Sequence, residues 1–211
     1  MMELTERQWV YHIIFHPVEG FEDLRLKKAG SILIANIIIA LWFIGEILCG
    51  SFYGSQFVMT DLDRFSIVPY VTKTFLLFFV WTSSNWSICA LFYGEGTMRK
   101  IYIYSAYALV PYISQLYIQA VLSHVLVRDE IIFIHIPKVV GILWSVLLMF
   151  TAIKAVHQFS ASKALLSIFF TIAVMIVILV LMVLVVSLIQ QVYSFISSVF
   201  AEIEYRIREY K

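Results

Sequence analysis

The chain has 211 residues, of which 62% are hydrophobic and 14% are charged, and its formal net charge is +1. Soluble domains average nearly half apolar and about a quarter charged residues, so a water-soluble globule of this size could not bury so much apolar surface. The near-neutral charge also excludes a strongly basic face for nucleic acid and an acidic disordered tail. The composition therefore predicts an all-α, polytopic membrane protein that forms a single domain.

Residues 1–29 precede the first long apolar stretch and read as a cytosolic amphipathic segment. The segment opens MMELTERQWVYHIIFHPVEG, with acids where a secretory signal would carry a basic region, and it has no small-residue cleavage site. We therefore expect the first span to remain as an anchor. Trp9, Val10, Ile13 and Ile14 recur at helical spacing, and tryptophan favours the headgroup zone, which predicts a helix at the membrane interface.

Five apolar windows follow within residues 30–189, each long enough to cross a hydrocarbon core about 30 Å thick. The last window has no charge, glycine or proline over 26 residues, roughly 39 Å at ~1.5 Å per residue, so it must tilt or protrude. We interpret it as a lipid-facing anchor. The predicted spans are about Gly30–Leu48, Pro69–Tyr93, Ile101–Val125, Pro137–Val156 and Ala164–Ile189.

The distribution of lysine and arginine among the short loops predicts the orientation. With the N-terminus in the cytoplasm, eight of these residues lie inside and four lie outside. Five spans then put the tail outside with Arg206, Arg208 and Lys211, which narrows the difference to eight against seven. We expect a cytoplasmic N-terminus and an extracytoplasmic C-terminus. The inner residues are Arg7, Arg25, Lys27, Lys28, Arg99, Lys100, Lys154 and Lys163, and the outer ones are Arg64, Lys73, Arg128 and Lys138.

The tail, residues 190–211, has the pattern of an amphipathic helix. Glu202 and Arg206 are four residues apart with the acid first, as are Glu204 and Arg208, which favours helix. The pattern leaves two interpretations open: a helix that lies on the membrane or on its own domain, or a docking surface for a partner. The apolar stripe consists of Val192, Phe195, Ile196, Val199, Phe200, Ile203 and Ile207.

The stretch YGEGTMRK, between the second and third spans, has two glycines and a basic pair. A Walker loop needs four residues between its glycines and a hydroxyl residue after the lysine, and a dinucleotide fingerprint needs a third glycine, so neither nucleotide motif is present. We interpret the stretch as a turn between membrane helices, in which Gly94 and Gly96 take positive φ. Further on, Pro111 predicts a kink near Val110, with a role in helix shape.

Polar residues inside the spans have a structural and a functional interpretation. Glu46 and Lys73 lie near the outer ends of the first two spans, where they either contact each other or extend separately to the interface. Asn85 belongs to a polar run in the second span that we interpret as a contact between helices, with a substrate or ion path as the sharper alternative. His157 is interpreted as a single interfacial side chain.

No arrangement of residues in the sequence indicates catalysis. The motifs H-E-x-x-H and G-x-S-x-G and a kinase-like set of residues are absent from the sequence. His124, Asp129, Glu130 and His135 are possible metal ligands, but their spacing matches no recognised pattern and an ordinary polar loop explains them. We therefore expect no enzyme activity, no cofactor and no bound metal.

Two stretches carry a family resemblance. HPVEGFEDLR before the first span, and YGEGTMRKIYIYSAYALVPY between the second and third, together resemble the Yip1 domain family. The resemblance implies five spans and no enzymatic activity. It assigns motif positions to Pro17, Glu19, Phe21 and Arg25 in the first stretch, and to Gly94, Gly96, Tyr107 and Pro111 in the second.

The same resemblance bears on function. Eukaryotic members act in vesicle traffic and contact Rab-type GTPases through cytosolic N-terminal regions, but only about thirty residues precede the first span here. A member in the bacterial plasma membrane is therefore the expectation.

We predict a non-catalytic scaffold or accessory subunit that binds other integral membrane proteins, such as the permease subunits of an ABC-type solute importer, and membrane lipid. Phe195, Val199 and Ile203 of the tail stripe are the candidate contacts. The alternatives are a stand-alone transporter or channel and a eukaryotic-type trafficking adaptor. Nucleic acid is not an expected partner.

Overall fold

A computed structural model describes residues 5–54 and 66–209, which are helical apart from short connections and contain no strand. This confirms the all-α bundle that the composition predicts. The α-helices are α1 Glu6–Phe15, α2 Pro17–Leu26, α3 Ile32–Ser51, α4 Val68–Val71, α5 Leu77–Leu91, α6 Met98–Ala108, α7 Val110–Val125, α8 Ile132–His157 and α9 Ala161–Glu209. A π-helical segment, Thr72–Leu76, joins α4 to α5, and a 3-10 turn, Arg128–Glu130, precedes α8.

The helices of the described residues follow one another in the same order as the predicted spans. Four continuous helical stretches are long and apolar enough to cross a membrane: Ile32–Ser51, Val68–Leu91, Arg128–His157 and Ala161–Glu209. The third predicted span is not a single helix. It consists of α6 and α7, which both pack between α3 and α8 and meet at Leu109.

The break at Leu109 has a local cause and a local remedy. Pro111 is the second residue of α7 and has no N–H, so it cannot continue the α6 ladder. The N–H of Tyr112, one residue further on, donates to Ser145 Oγ of α8 at 2.8 Å. The predicted kink is confirmed, and a side chain from a neighbouring helix satisfies a backbone group at the break, as helix breaks in membranes require.

The N-terminal segment forms two helices, α1 and α2, rather than one. Pro17 is the first residue of α2, where its missing N–H costs no helical hydrogen bond. Trp9 and Ile13 are 4% and 0% exposed and belong to the protein core, so their prediction as headgroup-facing residues is wrong. The pair of helices lies against the side of the bundle, where Trp144 Nε1 donates to the carbonyl of Ile14 at 3.0 Å.

The helix α9 is continuous over 49 residues, so the predicted last span and the predicted tail helix are one element. Its buried side chains are Ala164, Ser167 and Thr171, all in the first three turns, which pack mainly on α5. From Ile172 to Glu209 every side chain is at least partly exposed.

The two ends of the bundle differ in charge. One end of the bundle is formed by the last turn of α2, the turn between α5 and α6, the last turn of α8 and the start of α9. We call it the basic end. The basic end carries Arg25, Lys27, Lys28, Arg99, Lys100, Lys154 and Lys163. At the opposite end, the N–H of Gly54 donates to Ser123 Oγ at 3.0 Å and joins α3 to α7.

Candidate functional site

A buried chain of hydrogen bonds at the basic end joins three helices and a turn. The N–H of Gly96 lies 3.3 Å from His157 Nδ1, and His157 Nε2 lies 3.3 Å from Asn85 Oδ1. Asn85 Nδ2 then donates to Thr171 Oγ1, also at 3.3 Å. His157 is 2% exposed, and Asn85 and Thr171 are fully buried. We call these three side chains, with the Gly96 N–H, the histidine network.

The backbone sets the direction of the histidine network. The N–H of Gly96 can only donate, so Nδ1 of His157 is the acceptor and its proton sits on Nε2. Nε2–H then donates to Asn85 Oδ1, and the Thr171 hydroxyl donates to the carbonyl of Ser167 at 2.7 Å. Each of the three side chains is thus both donor and acceptor, which is the arrangement a buried polar group requires. His157 is neutral in this arrangement.

The histidine network confirms that Asn85 makes a contact between helices, because its partners belong to α8 and α9. The prediction that His157 is interfacial is wrong, since its ring is enclosed and stacks on Phe159 at 5.2 Å between centroids. The sequence alone does not indicate the contact between His157 and Asn85, because these residues are 72 positions apart along the chain.

The glycines of the turn serve a purpose that the sequence did not suggest. Positive φ at the turn belongs to Tyr93, at 56°, and to neither Gly94 nor Gly96, so that prediction is wrong. Tyr93 N–H bonds the carbonyl of Ala90, and Gly94 N–H bonds that of Cys89, which closes α5 with a Schellman motif. A Cβ at Gly94 would lie 2.5 Å from His157 Nδ1, and one at Gly96 would lie 2.5 Å from His157 Cε1. The glycines therefore make room for the imidazole.

The first predicted motif lies beside the second. Phe21 is fully buried, and its ring centroid is 5.7 Å from that of Tyr104 on α6. Tyr107 OH accepts from the N–H of Ser31 at 3.0 Å, which ties α6 to the start of α3. Of the remaining motif residues, Pro17 starts α2, Glu19 is exposed in the first turn of α2, and Arg25 is half-buried in its last turn.

A second polar centre surrounds Glu46, which is 5% exposed. Its Oε1 accepts from Trp42 Nε1 at 2.9 Å and from Tyr112 OH at 2.8 Å, and its Oε2 accepts from Lys73 Nζ at 2.7 Å. The contact between Glu46 and Lys73 is thus formed, and the alternative of separate extension to the interface does not apply to Glu46. Three hydrogen-bond donors, one of which is the Lys73 ammonium group, thus satisfy this buried carboxyl group.

The Glu46 centre also lies next to the break between α6 and α7, because Tyr112 donates its backbone N–H to Ser145 and its hydroxyl to Glu46. The sequence pattern does not reveal this connection between a broken helix and a charged residue, because Glu46 and Tyr112 are 66 residues apart. A broken helix beside an ionisable group is a feature of many transporter binding sites.

The tail residues lie apart from both centres. Phe195 is 71% exposed, Val199 41% and Ile203 48%, and each lies on the part of α9 that follows Thr171. Among the described residues, no group of three or more histidine, cysteine, aspartate or glutamate side chains could hold a metal ion. The described chain thus offers two polar centres inside the bundle and one exposed apolar stripe outside it.

Helices long enough to span a bilayer, joined by buried polar groups, define an integral membrane protein of the helical class. Within that class the chain belongs to the Yip1 domain family, whose model matches residues 11–184. The match includes both motif stretches and ends inside α9, before the tail stripe. No curated protein and no solved structure matches the chain.

Proposed function

We propose that this protein is a non-catalytic scaffold or accessory subunit that binds other integral membrane proteins through the tail stripe of α9. The length of α9 is the observation that carries the proposal. Its 49 residues extend ~74 Å at ~1.5 Å per residue. Even a tilt of about 40°, the upper end of the usual range, leaves roughly 56 Å along the membrane normal, against a hydrocarbon core of about 30 Å.

The continuity of α9 favours one of the two interpretations of the tail. A tail lying flat on the membrane would need a bend after the crossing, and α9 is unbroken from Ala161 to Glu209. A tail packed on its own domain would bury its stripe, whereas Phe195 and Phe200 are 71% and 68% exposed. A helix that leaves the bilayer with an uncovered apolar stripe is poorly soluble on its own. A groove on a partner would cover it.

We further propose a setting for this interaction. The bacterial plasma membrane, with the N-terminus cytoplasmic and the tail extracytoplasmic, agrees with the excess of lysine and arginine at the basic end. The specific partners we propose are the permease subunits of an ABC-type solute importer. The position of the stripe supports a partner that is itself in the membrane, because the stripe directly continues a membrane-crossing helix.

The experiment is purification of the full chain in mild detergent, with identification of the proteins that co-elute. The test variant replaces three stripe residues with serine: Phe195→Ser, Val199→Ser and Ile203→Ser. The matched control changes three residues on the opposite face of the same turns: Ser194→Ala, Ser198→Ala and Ala201→Ser. We expect membrane-protein partners with the natural chain and the control, and their loss with the test variant. A strictly solitary monomer would contradict the proposal.

A second candidate function is a stand-alone transporter or channel. The observation in its favour is the Glu46 centre beside the break at Leu109. Uptake of solute into vesicles reconstituted with the purified chain tests it, with Glu46→Gln as the variant and the exposed Glu19→Gln as the control. Uptake that Glu46→Gln abolishes and Glu19→Gln preserves would support transport. The trafficking-adaptor alternative has no comparable support, because the Trp9 and Ile13 side chains are packed into the bundle.

A further inference from the structure

An open pocket of about 210 Å³ lies at the basic end, between the last turn of α2 and the end of α8. A single bound water needs only ~15 Å³ by a similar measure, so the pocket has room for a small polar group with its hydration. Its lining combines two cations, one acid, one amide and an apolar floor: Arg25, Lys154, Glu22, Gln158, Ala155 and Phe159.

The two cations of the pocket have no acceptor within the described chain. Arg25 Nε is buried and makes no hydrogen bond, and neither Arg25 nor Lys154 takes part in an ion pair among the described residues. A buried guanidinium N–H without an acceptor is costly, so a ligand that supplies an oxygen there is favoured. The planar fork of arginine matches the oxygens of phosphate, and lysine adds a second point charge.

The acids near the pocket only partly offset these charges. Glu95 bonds the amide of Gln158, and Asp23 lies 3.5 Å from His12 Nε2, so both have other partners. Glu22 is the one acid in the pocket lining. Lys163 adds a further cation nearby, 4.6 Å from the centroid of the Phe159 ring. The local field therefore favours an anion.

The position of the pocket fits a headgroup. Lys154 lies one turn before the end of α8, and the side chains that precede it, Ala152 and Ile153, are buried in the bundle. A membrane-spanning helix reaches the lipid phosphates at about its last turn. Basic pockets between helices on the positively charged side of a membrane protein are suited to phosphate headgroups.

We propose that this pocket binds the phosphate group of an anionic molecule, with Arg25 and Lys154 as its donors. The shared chemistry is a phosphate oxyanion, whether it belongs to a lipid headgroup or to free phosphate. The site is distinct from the tail stripe of α9, so its success or failure leaves the proposed function untouched.

The test measures how much lipid the full-length purified protein retains. The protein is delipidated in detergent, exposed to equal amounts of phosphatidylglycerol and phosphatidylcholine, and the bound lipids are quantified by mass spectrometry. We expect phosphatidylglycerol to be retained in preference, and Lys154→Gln to reduce this preference about tenfold, the effect of one charge-assisted hydrogen bond. Lys100→Gln is the matched control, because Lys100 is exposed at the same end and lies outside the pocket lining.

Arg25→Lys is the second variant, since it keeps the charge and removes the fork, and we expect an intermediate loss. A separate arm adds inorganic phosphate to the delipidated protein and follows thermal unfolding. If phosphate raises the melting temperature of the natural chain and not of Lys154→Gln, while the two lipids are retained equally, the ligand is a soluble phosphate. Equal retention of the lipids together with no phosphate effect would overturn the proposal, as would equal losses in Lys154→Gln and Lys100→Gln.

Discussion

The bundle up to Thr171 and the remainder of α9 have similar residues in opposite surroundings. Phe21 in α2 is fully buried, whereas Phe195 in α9 is 71% exposed. Asn85 in α5 is fully buried and hydrogen-bonded to two other helices, whereas Gln190 and Gln191 in α9 are exposed. Residue type alone therefore does not decide whether a side chain is packed. The bundle supplies its own partners, and the rest of α9 must find them in lipid or in another protein.

Removal of the Phe21 ring should destabilise the protein far more than removal of the Phe195 ring. Phe21→Ala removes a fully buried ring and leaves a cavity beside Tyr104, so we expect the free energy of unfolding to fall by about 3–5 kcal/mol. Phe195→Ala removes an exposed ring, and in the isolated chain we expect a change below ~0.5 kcal/mol. Reversible unfolding in mixed detergent, followed by circular dichroism, measures both. Equal losses would show that the stripe is packed within the chain itself.

The next effect concerns the histidine network. Asn85→Ala leaves the Nε2–H of His157 without an acceptor inside the bundle, and we expect a loss of about 2–3 kcal/mol. Ser87→Ala is the control on the same helix, because Ser87 is exposed and bonds only the carbonyl of Ser83. The same unfolding assay compares them. An Asn85→Ala protein as stable as the control would mean that the network contributes nothing.

A smaller effect tests whether the glycines of the turn are needed to make room for His157 or to take positive φ. Gly96→Ala places a Cβ against the imidazole of His157, so we expect a loss of about 1–3 kcal/mol from overpacking. Tyr93→Gly replaces the residue that holds positive φ with one that adopts it easily. We therefore expect the free energy of unfolding to stay within ~1 kcal/mol of the natural value or to rise. Thermal unfolding distinguishes them. If Gly96→Ala costs as much in a His157→Ala background, the ring is not the source of the clash.

The smallest effect lies in the tail. Glu202 and Arg206 form an ion pair at 2.8 Å with both side chains largely exposed, so Glu202→Gln should cost only about 0.3–0.5 kcal/mol of helix stability. The effect should disappear in high salt, because exposed pairs are screened. The pair between Lys73 and Glu46 has a carboxylate that is 6% exposed and should keep its effect under the same conditions. Helix content by circular dichroism at low and high salt checks the Glu202–Arg206 pair. Unfolding of Lys73→Met at the same two salt concentrations checks the Glu46–Lys73 pair.

Much of the fold could be predicted from local patterns. Apolar windows indicated where the helices lie, Pro111 indicated the break, and a buried amide in a span indicated a contact between helices. These are properties of a few consecutive residues, and each is fixed by length, by a missing N–H or by the cost of an unpaired polar group. The order and the types of the elements follow from them.

What could not be predicted depends on distant partners. Gly96 and His157 are 61 residues apart, so nothing in the turn itself reveals that its glycines enclose an imidazole. The sequence favours positive φ at the glycines because glycine takes that conformation most easily, whereas Tyr93 holds it in the structure. Trp9 and Ile13 would have the same helical spacing whether they faced lipid headgroups or packed on α2 and α6. The periodicity therefore indicates an apolar face of α1 but not what covers that face.

The hydrogen bond from Asn85 to Thr171 has a consequence for biosynthesis. A ribosome delivers α5 to the membrane 86 residues before the acceptor on α9 exists. Until then the amide of Asn85 lacks its final partner, since both side chains that bond it among the described residues, His157 and Thr171, come later in the chain. Packing of the first turns of α9 against α5 is therefore the step that completes the hydrogen bonds inside the bundle. A nascent chain stopped before that point would leave the Asn85 amide without its acceptor.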